Sequence, residues 1–509
     1  MRSSPLTCQW HLQRALTSYD AVMNGSNIRV STISKLSDEV LLEIFNFCRK
    51  NHNPLLLVWP WHVLAHVCQR WREIVFASPH RLNLRIFCRN GSPVRENLCI
   101  WPAFPIVIKY RYSDFEFRTR WPWRSQTRND EDNIIAALEH PDRVCSVELN
   151  GTGSQLEQVS TVMQVPFPVL THLRLILHLR DFQNAAVLPP KFLGGSAPCL
   201  QEITFVGIPF PSLPTLLLSA SDLVKLRLEN IPPTSYIAPD VMAACLVSSP
   251  RLEWFIIGFQ FANPRPHRLY APPLSRAILP SLTSFVFKGT SEYLEELVSR
   301  IEGPQLSRIF TDYLNQLVDF QVAQFSKFID RSVCPEFTIF KHAHVVFSCD
   351  WVYFTTSRHA SHLRRDEDRD SAGACVSCQG IDWQVSHMAQ LLSQFSLTLS
   401  NIVHLRLWFQ GMVGLEGMND VEWLNFLLKF SAVQTLHVCK RLAGHVALAL
   451  EDIPSGMFTE VLPSLQSIYL EGHPAISLIK FAITRRLSGR SVTVNAVTRT
   501  VFDDKSTEY

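Results

Sequence analysis

Two kinds of apolar spacing divide this chain. In the first, apolar residues fall at Leu36, Val40, Leu41, Ile44, Phe45 and Cys48. Steps of three to five residues place them on one stripe of a helix. Ser37 or Asp38 can cap its start, and Asp38 with Glu39 suit the positive end of the helix dipole. A second helical pattern sets Leu64, Val67, Cys68, Trp71, Ile74 and Val75 on one face, with Arg70, Arg72 and Glu73 opposite. Ser78-Pro79 stops it. Both stripes are wider than one helix pair can bury on itself, so residues 33–84 read as a small helical docking module.

Past residue 140 the period changes. A unit Pro-x-Leu-x-x-apolar recurs at Pro168, Pro198, Pro250, Pro280, Pro304 and Pro463, and units without the proline begin at Leu223, Ile402 and Val433. Successive apolar starts from Leu170 are 30, 23, 29, 30 and 24 residues apart, then 31 and 32 after a gap. A proline disfavours helix in the residue before it and returns the chain to extended geometry. Leu170-Leu173-Leu175 and Leu223-Leu226-Leu228 then send alternate side chains into a shared core. Helix-like stretches lie between, at Val241–Ser248, Tyr293–Ile301 and Val421–Phe430. Strand and helix alternating at this period predict a parallel sheet of the leucine-rich-repeat kind, irregular because most units lack the usual turn asparagine. Strand-like runs at Phe337–Phe340, Val345–Phe354 and Cys375–Ser377 are candidates for three more units inside the gap, and His362–Gly373 reads as a polar surface loop.

The helical module also resembles a known family. Leu36-Ser37-Asp38-Glu39-Val40-Leu41-Leu42-Glu43-Ile44-Phe45 looks like the first helix of the F-box, with Ser37 where proline is usual. Val67-Cys68-Gln69-Arg70-Trp71-Arg72 looks like its later Val-Cys-x-x-Trp-Arg signature. The spacer Arg49–His62 is longer than in most members. With Arg81-Leu82-Asn83-Leu84 and Ile100-Trp101-Pro102-Ala103 included, the stretch further resembles the large F-box families of mushroom-forming fungi. The resemblance implies docking on the Skp adaptor, and through it on a cullin–RING ligase. Leu36, Val40, Leu41, Ile44 and Phe45 would carry the contact, and Trp71 would touch the partner or pack the module.

Composition narrows the rest. At 509 residues, 47% hydrophobic and 18% charged, the chain is folded and larger than one small core. A net charge of +3 argues for neither nucleic acid nor an anionic membrane as partner. Thirteen irregularly spaced cysteines fit reduced thiols in an intracellular (cytoplasmic or nuclear) setting. The first twenty residues lack a secretory core, offering only the faint transit-like pattern of Arg2 and Arg14 without acids before Asp20. Asn24, Asn90 and Asn150 match the glycosylation triplet but mean little without a secretory route.

No catalytic constellation appears, and neither a cofactor nor a metal is expected. Gly151-Thr152-Gly153-Ser154 lacks the further residues of a phosphate-binding loop and reads as a tight turn. Cys375-x-x-Cys378, with His362 and His387 in reach, is half of a zinc pattern. Aromatic and basic residues interleave from Tyr110 to Arg128, which suits a single-stranded nucleic acid or an edge strand with its arginines solvated.

In a repeat strand, the positions between the core residues point to the open side of the sheet. These are His172 and Arg174, Glu202 and Thr204, Lys225 and Arg227, Trp254 and Ile256, and His404 and Arg406. Of these, His172, Arg174, Lys225, Arg227, Trp254, His404 and Arg406 are the candidate substrate contacts. The expected organisation is an N-terminal extension (1–32), the helical F-box (33–84), a linker leading into the repeats (85–140), an α/β repeat solenoid (141–500) and a tail (501–509). The expected function is a non-enzymatic substrate receptor for a ubiquitin ligase, holding an unidentified protein. A leucine-rich-repeat scaffold without ligase association is the alternative.

Overall fold

The computed structural model describes residues 35–50, 61–90, 94–111, 129–178, 187–262, 276–314, 322–332, 340–358, 371–377, 381–394, 399–411, 420–451, 460–471 and 476–497. The chain divides into two compact units, Met1–Phe87 with Ile100–Pro105 and Cys88–Cys99 with Ile106–Tyr509.

The first unit carries helices α1 (Asp38–Lys50), α2 (Trp61–Ala65) and α3 (Gln69–Ala77). Ser37 is the residue that caps α1, its Oγ accepting from the Val40 amide at 3.4 Å. Leu41, Leu42 and Phe45 turn inward, and Phe45 meets Trp71 edge-to-face at 4.7 Å. The second sequence pattern is two helices, not one. The chain breaks before Cys68, which is fully extended (φ −157°, ψ 171°), and leaves Val67 and Cys68 exposed instead of on the buried face. On one straight helix Trp61, Ala65 and Val75 would share a side, with Ile74 on the far one. The break lets all four be buried, and Arg72 Nε spans it by donating to the Ala65 carbonyl at 2.9 Å. Trp61 packs against Trp101 and Phe104 at 5.1 and 5.3 Å, and its indole N–H donates to the Arg85 carbonyl.

Among the described residues, eighteen strands follow. They are β1 (Ile86–Arg89), β2 (Ile106–Arg111), β3 (Val144–Gly151), β4 (His172–Leu177), β5 (Glu202–Val206) and β6 (Lys225–Ile231). Next come β7 (Trp254–Phe259), β8 (Ala277–Ile278), β9 (Ser284–Gly289), β10 (Ile301–Glu302), β11 (Arg308–Tyr313) and β12 (His342–Phe347). The last are β13 (Trp351–Ser357), β14 (Ser371–Ser377), β15 (His404–Phe409), β16 (Thr435–Val438), β17 (Ser467–Glu471) and β18 (Thr493–Val497). Sixteen form one sheet, β1-β2-β3-β4-β5-β6-β7-β9-β11-β14-β13-β12-β15-β16-β17-β18, while β8 and β10 pair with each other. Strands β1 and β2 and the helix Asn129–Leu138 occupy the stretch expected as a linker, so sheet structure starts well before residue 141.

The repeat has a simple mechanical basis. Strands β4, β5, β6, β7, β9, β11, β15, β16 and β17 each begin two residues after the apolar start of their unit, from Leu170 to Leu465. Just ahead of most of these strands, that residue's amide bonds the carbonyl three places back, as in Leu170 to Phe167, Leu252 to Ser249 and Leu282 to Leu279. The proline therefore sits second in a four-residue turn, where its fixed φ fits and its missing N–H costs nothing. Replacing Pro280 with alanine should lower stability by only about 0.4–1 kcal/mol, through the freer unfolded chain. Chemical denaturation of the variant checks this.

The gap between Leu306 and Ile402 departs from the expected parallel sheet. Strand β13 runs antiparallel to both β12 and β14, inserted between β11 and β15. Only three residues separate β12 from β13, and a parallel return needs a crossover of a dozen or more. The Val345–Phe354 run is thus a hairpin. Residues 337–339 of the expected Phe337–Phe340 run lie outside the described residues, as do 362–370 of the expected loop; Ser371–Gly373 instead open β14.

Helices cover one face of the sheet. Phe285 meets Phe328 of the helix Ala323–Ser332, Phe287 meets Tyr293 of Ser291–Val298, and Phe347 meets Trp423 of Asp420–Leu427. On the other face the aromatic and cation pairs run from strand to strand, as in Phe310–Tyr353, His342–His404 and His437–Tyr469.

Candidate functional site

Each unit offers one surface. On α1 of the first, Val40, Ile44 and Phe47 are 45%, 42% and 67% exposed, and their spacing puts them on a single side of the helix. Val63 and Val67 are exposed as well. Asp38 accepts from Arg70 Nη2 at 2.6 Å, Arg70 Nη2 also reaches the Leu36 carbonyl, and Arg81 pairs with Glu43. Of the residues picked from sequence, Val40 and Ile44 face outward, Leu36 and Trp71 are half-buried, and Leu41 and Phe45 are 1% exposed. Leu41 and Phe45 are therefore core residues of this unit. Phe47 and Val67 were missed as exposed, although Phe47 follows Val40 and Ile44 at i+7.

The second surface is the helix-free sheet face. The register aligns His172, Glu202, Lys225 and Trp254 in one row, and Arg174, Thr204, Arg227 and Ile256 in the next. Thr204 is buried beneath its larger neighbours. His404 and Arg406 lie on the same face, farther along the sheet beside His342 and His344 of β12. Carboxylates here hold cations: Glu148 takes Lys109 at 2.6 Å, Glu202 takes Lys225 at 3.1 Å, Glu229 takes Arg227 at 2.8 Å and Asp312 takes Lys288 at 3.3 Å.

Beyond β11 the face becomes aromatic. Val346, Tyr353 and Cys375 are buried together, with Phe310, Trp351 and Trp408 packed against them. The rings of His342 and His404 stack at 4.6 Å, and those of His437 and Tyr469 at 4.7 Å. Burial holds the His344 imidazole down at about 3, with Arg406 adding repulsion. Burial and then Lys341 lower His404. Most of this cluster was not picked from sequence. The rule that selected His404 and Arg406, applied at Leu306, Val433 and Leu465, gives Arg308, Phe310, His437 and Tyr469.

Several sequence motifs resolve into scaffold. Thr152 caps the helix Gly153–Val162, accepting from the Gln155 amide while Gln155 Oε1 accepts from the Thr152 amide. Tyr110 is buried in β2, whereas 112–128 of the basic-aromatic run lie outside the described residues. Cys378 and His362 lie outside them too. Among the described residues no cluster of three His, Cys, Asp or Glu side chains could hold a metal, and no helix is long and apolar enough to cross a membrane.

No family model matches the chain, and no curated protein does. A solved structure is similar. It is the leucine-rich repeat-containing protein LegL7 from Legionella pneumophila, at 13% identity, covering 80% of this chain and 98% of that one with a TM-score of 0.25.

Proposed function

We propose that this chain is a substrate receptor of a Skp–cullin–F-box type ubiquitin ligase, its helical unit docking on the Skp adaptor and its sheet unit binding a protein target. The observation that carries the reading is the apolar stripe Val40-Ile44-Phe47, left exposed on a helix whose sequence resembles the F-box. Exposed contiguous apolar side chains in an otherwise packed module mark a partner surface. The sheet's open face, with an aromatic cluster next to strands that carry paired charges, suits a protein ligand. Function then follows from proximity: the target is held near the conjugating enzyme, and no side chain of this chain takes part in bond making. The family's adaptor contact is expected to shift from the buried Leu41 and Phe45 to Val40, Ile44 and Phe47.

Co-purification with the Skp adaptor tests this. The wild type should bind, and a Val40→Asp plus Ile44→Asp variant should bind roughly a hundredfold more weakly, since it replaces about 3 kcal/mol of apolar burial with charge. Both positions are exposed, so the variant should keep its helical circular dichroism. A wild type that fails to capture the adaptor overturns the ligase reading and favours a repeat scaffold acting without a ligase.

A further inference from the structure

The unpaired charge on the sheet face identifies a class of target. Arg308 and Arg406 have no carboxylate partner among the described residues. Each lies over an indole, Arg308 at 5.9 Å from the Trp254 ring centroid and Arg406 at 5.1 Å from that of Trp408. Arg174 also lacks a carboxylate but stands apart, beside β3 and β5. An arginine lying over a ring keeps its donors free for an incoming carboxylate.

Between the two arginines the sheet forms a shaped apolar strip. Strands β14, β13 and β12 separate β11 from β15. Four inter-strand spacings, with an offset of two residues along the strands, put the arginine positions about 20 Å apart. In the row between them the register aligns Phe310, Gly373, Thr355, His344 and Arg406. The Phe310 ring lies over the buried Gly373, where a Cβ would sit 2.8 Å from it. Phe310, with Tyr353 packed beside it, bounds one side of the strip and the imidazole wall bounds the other. The low imidazole pKa values keep His344 and His404 neutral, leaving Arg406, with Lys341 near His404, as the positive charge at that end.

We propose that this strip binds an extended acidic peptide segment of the target, with two carboxylates about six residues apart reaching Arg308 and Arg406 and an apolar side chain between them resting on the Phe310 ring. Six extended residues span about 20 Å, matching the separation of the arginines. The proposal rests on the receptor reading for the biological role of that segment.

The test is fluorescence anisotropy of the full chain with labelled twelve-residue peptides. Each peptide carries a central leucine and two glutamates set two, four, six or eight residues apart. The six-residue spacing should bind tightest, and its glutamine version about tenfold or more weaker. Arg308→Gln and Arg406→Gln should each weaken it about tenfold, while Lys109→Gln on the same face leaves it unchanged. Binding by no member of the panel, equal affinity for the glutamine peptide, indifference to spacing, or indifference to both arginine substitutions overturns the proposal. Adaptor capture is measured separately. If capture fails while the six-spaced peptide binds, the receptor reading falls and the peptide site stands; the converse rejects the peptide site alone.

Discussion

Trp423→Ala should be the most damaging single truncation in the sheet unit, costing about 3–5 kcal/mol. Trp423 lies on the helix Asp420–Leu427 and has no solvent exposure. It packs on Phe347 of β12 at 5.3 Å and on Phe426 at 5.9 Å, so its loss opens a cavity where the helix meets the strands. The indole N–H has no hydrogen-bond partner among the described residues, which already costs stability in the native state. Trp423→Phe should therefore recover much of the loss, leaving a deficit of about 1–2 kcal/mol. Trp383, 61% exposed on the helix Ile381–Gln394, serves as the control, and its alanine variant should stay within about 0.5 kcal/mol. Urea unfolding followed by circular dichroism separates the three variants. Equal midpoints for Trp423→Ala and Trp383→Ala would show that the helix does not pack as described.

How far the sequence disclosed this architecture depends on the scale of the signal. The repeat was legible because each unit declares its turn and strand within six residues. Leu252 both closes the turn on Ser249 and starts the count to Trp254. The positions Arg174, Arg227 and Ile256 followed from that count, since a period of two fixes which side chains leave the core. The hairpin at β12 and β13 was hidden for the opposite reason. Its apolar run continues across a three-residue turn, and whether such a run is one strand or two depends on pairing partners far away in sequence. The break at Cys68 was equally non-local. It depends on Trp61 finding Trp101 and Phe104, which no helical period between Leu64 and Val75 encodes. Exposure on α1 misled in a third way. A wide apolar stripe says that burial is needed but not by what, so Leu41 and Val40 looked alike although one packs inside the unit and the other outside.

Acid should destabilise the sheet unit through His344, and His344→Leu should remove that part of the sensitivity. The imidazole is held at about 3, against 6.5 for the free side chain, first by burial and then by Arg406. The folded state therefore favours the neutral ring, while the unfolded chain takes up a proton below 6.5. Stability from this residue is complete above that value and is lost progressively as pH falls from 6.5 toward 3. Between pH 7 and pH 4.5 the loss amounts to roughly 2–3 kcal/mol. Other depressed groups, His404 and His387 among them, add to the wild-type slope, so the informative quantity is the difference between the two proteins. The Nε2 atom of His344 has no partner among the described residues to abandon, which makes leucine a tolerable replacement at neutral pH. Urea midpoints at the two pH values should converge for His344→Leu relative to wild type by that amount. An unchanged difference would mean that the ring is solvated and that the wall beside Arg406 carries charge in mild acid. In that case acidic peptides would bind more tightly at pH 5.5 than at pH 7.5, instead of holding their affinity across that range.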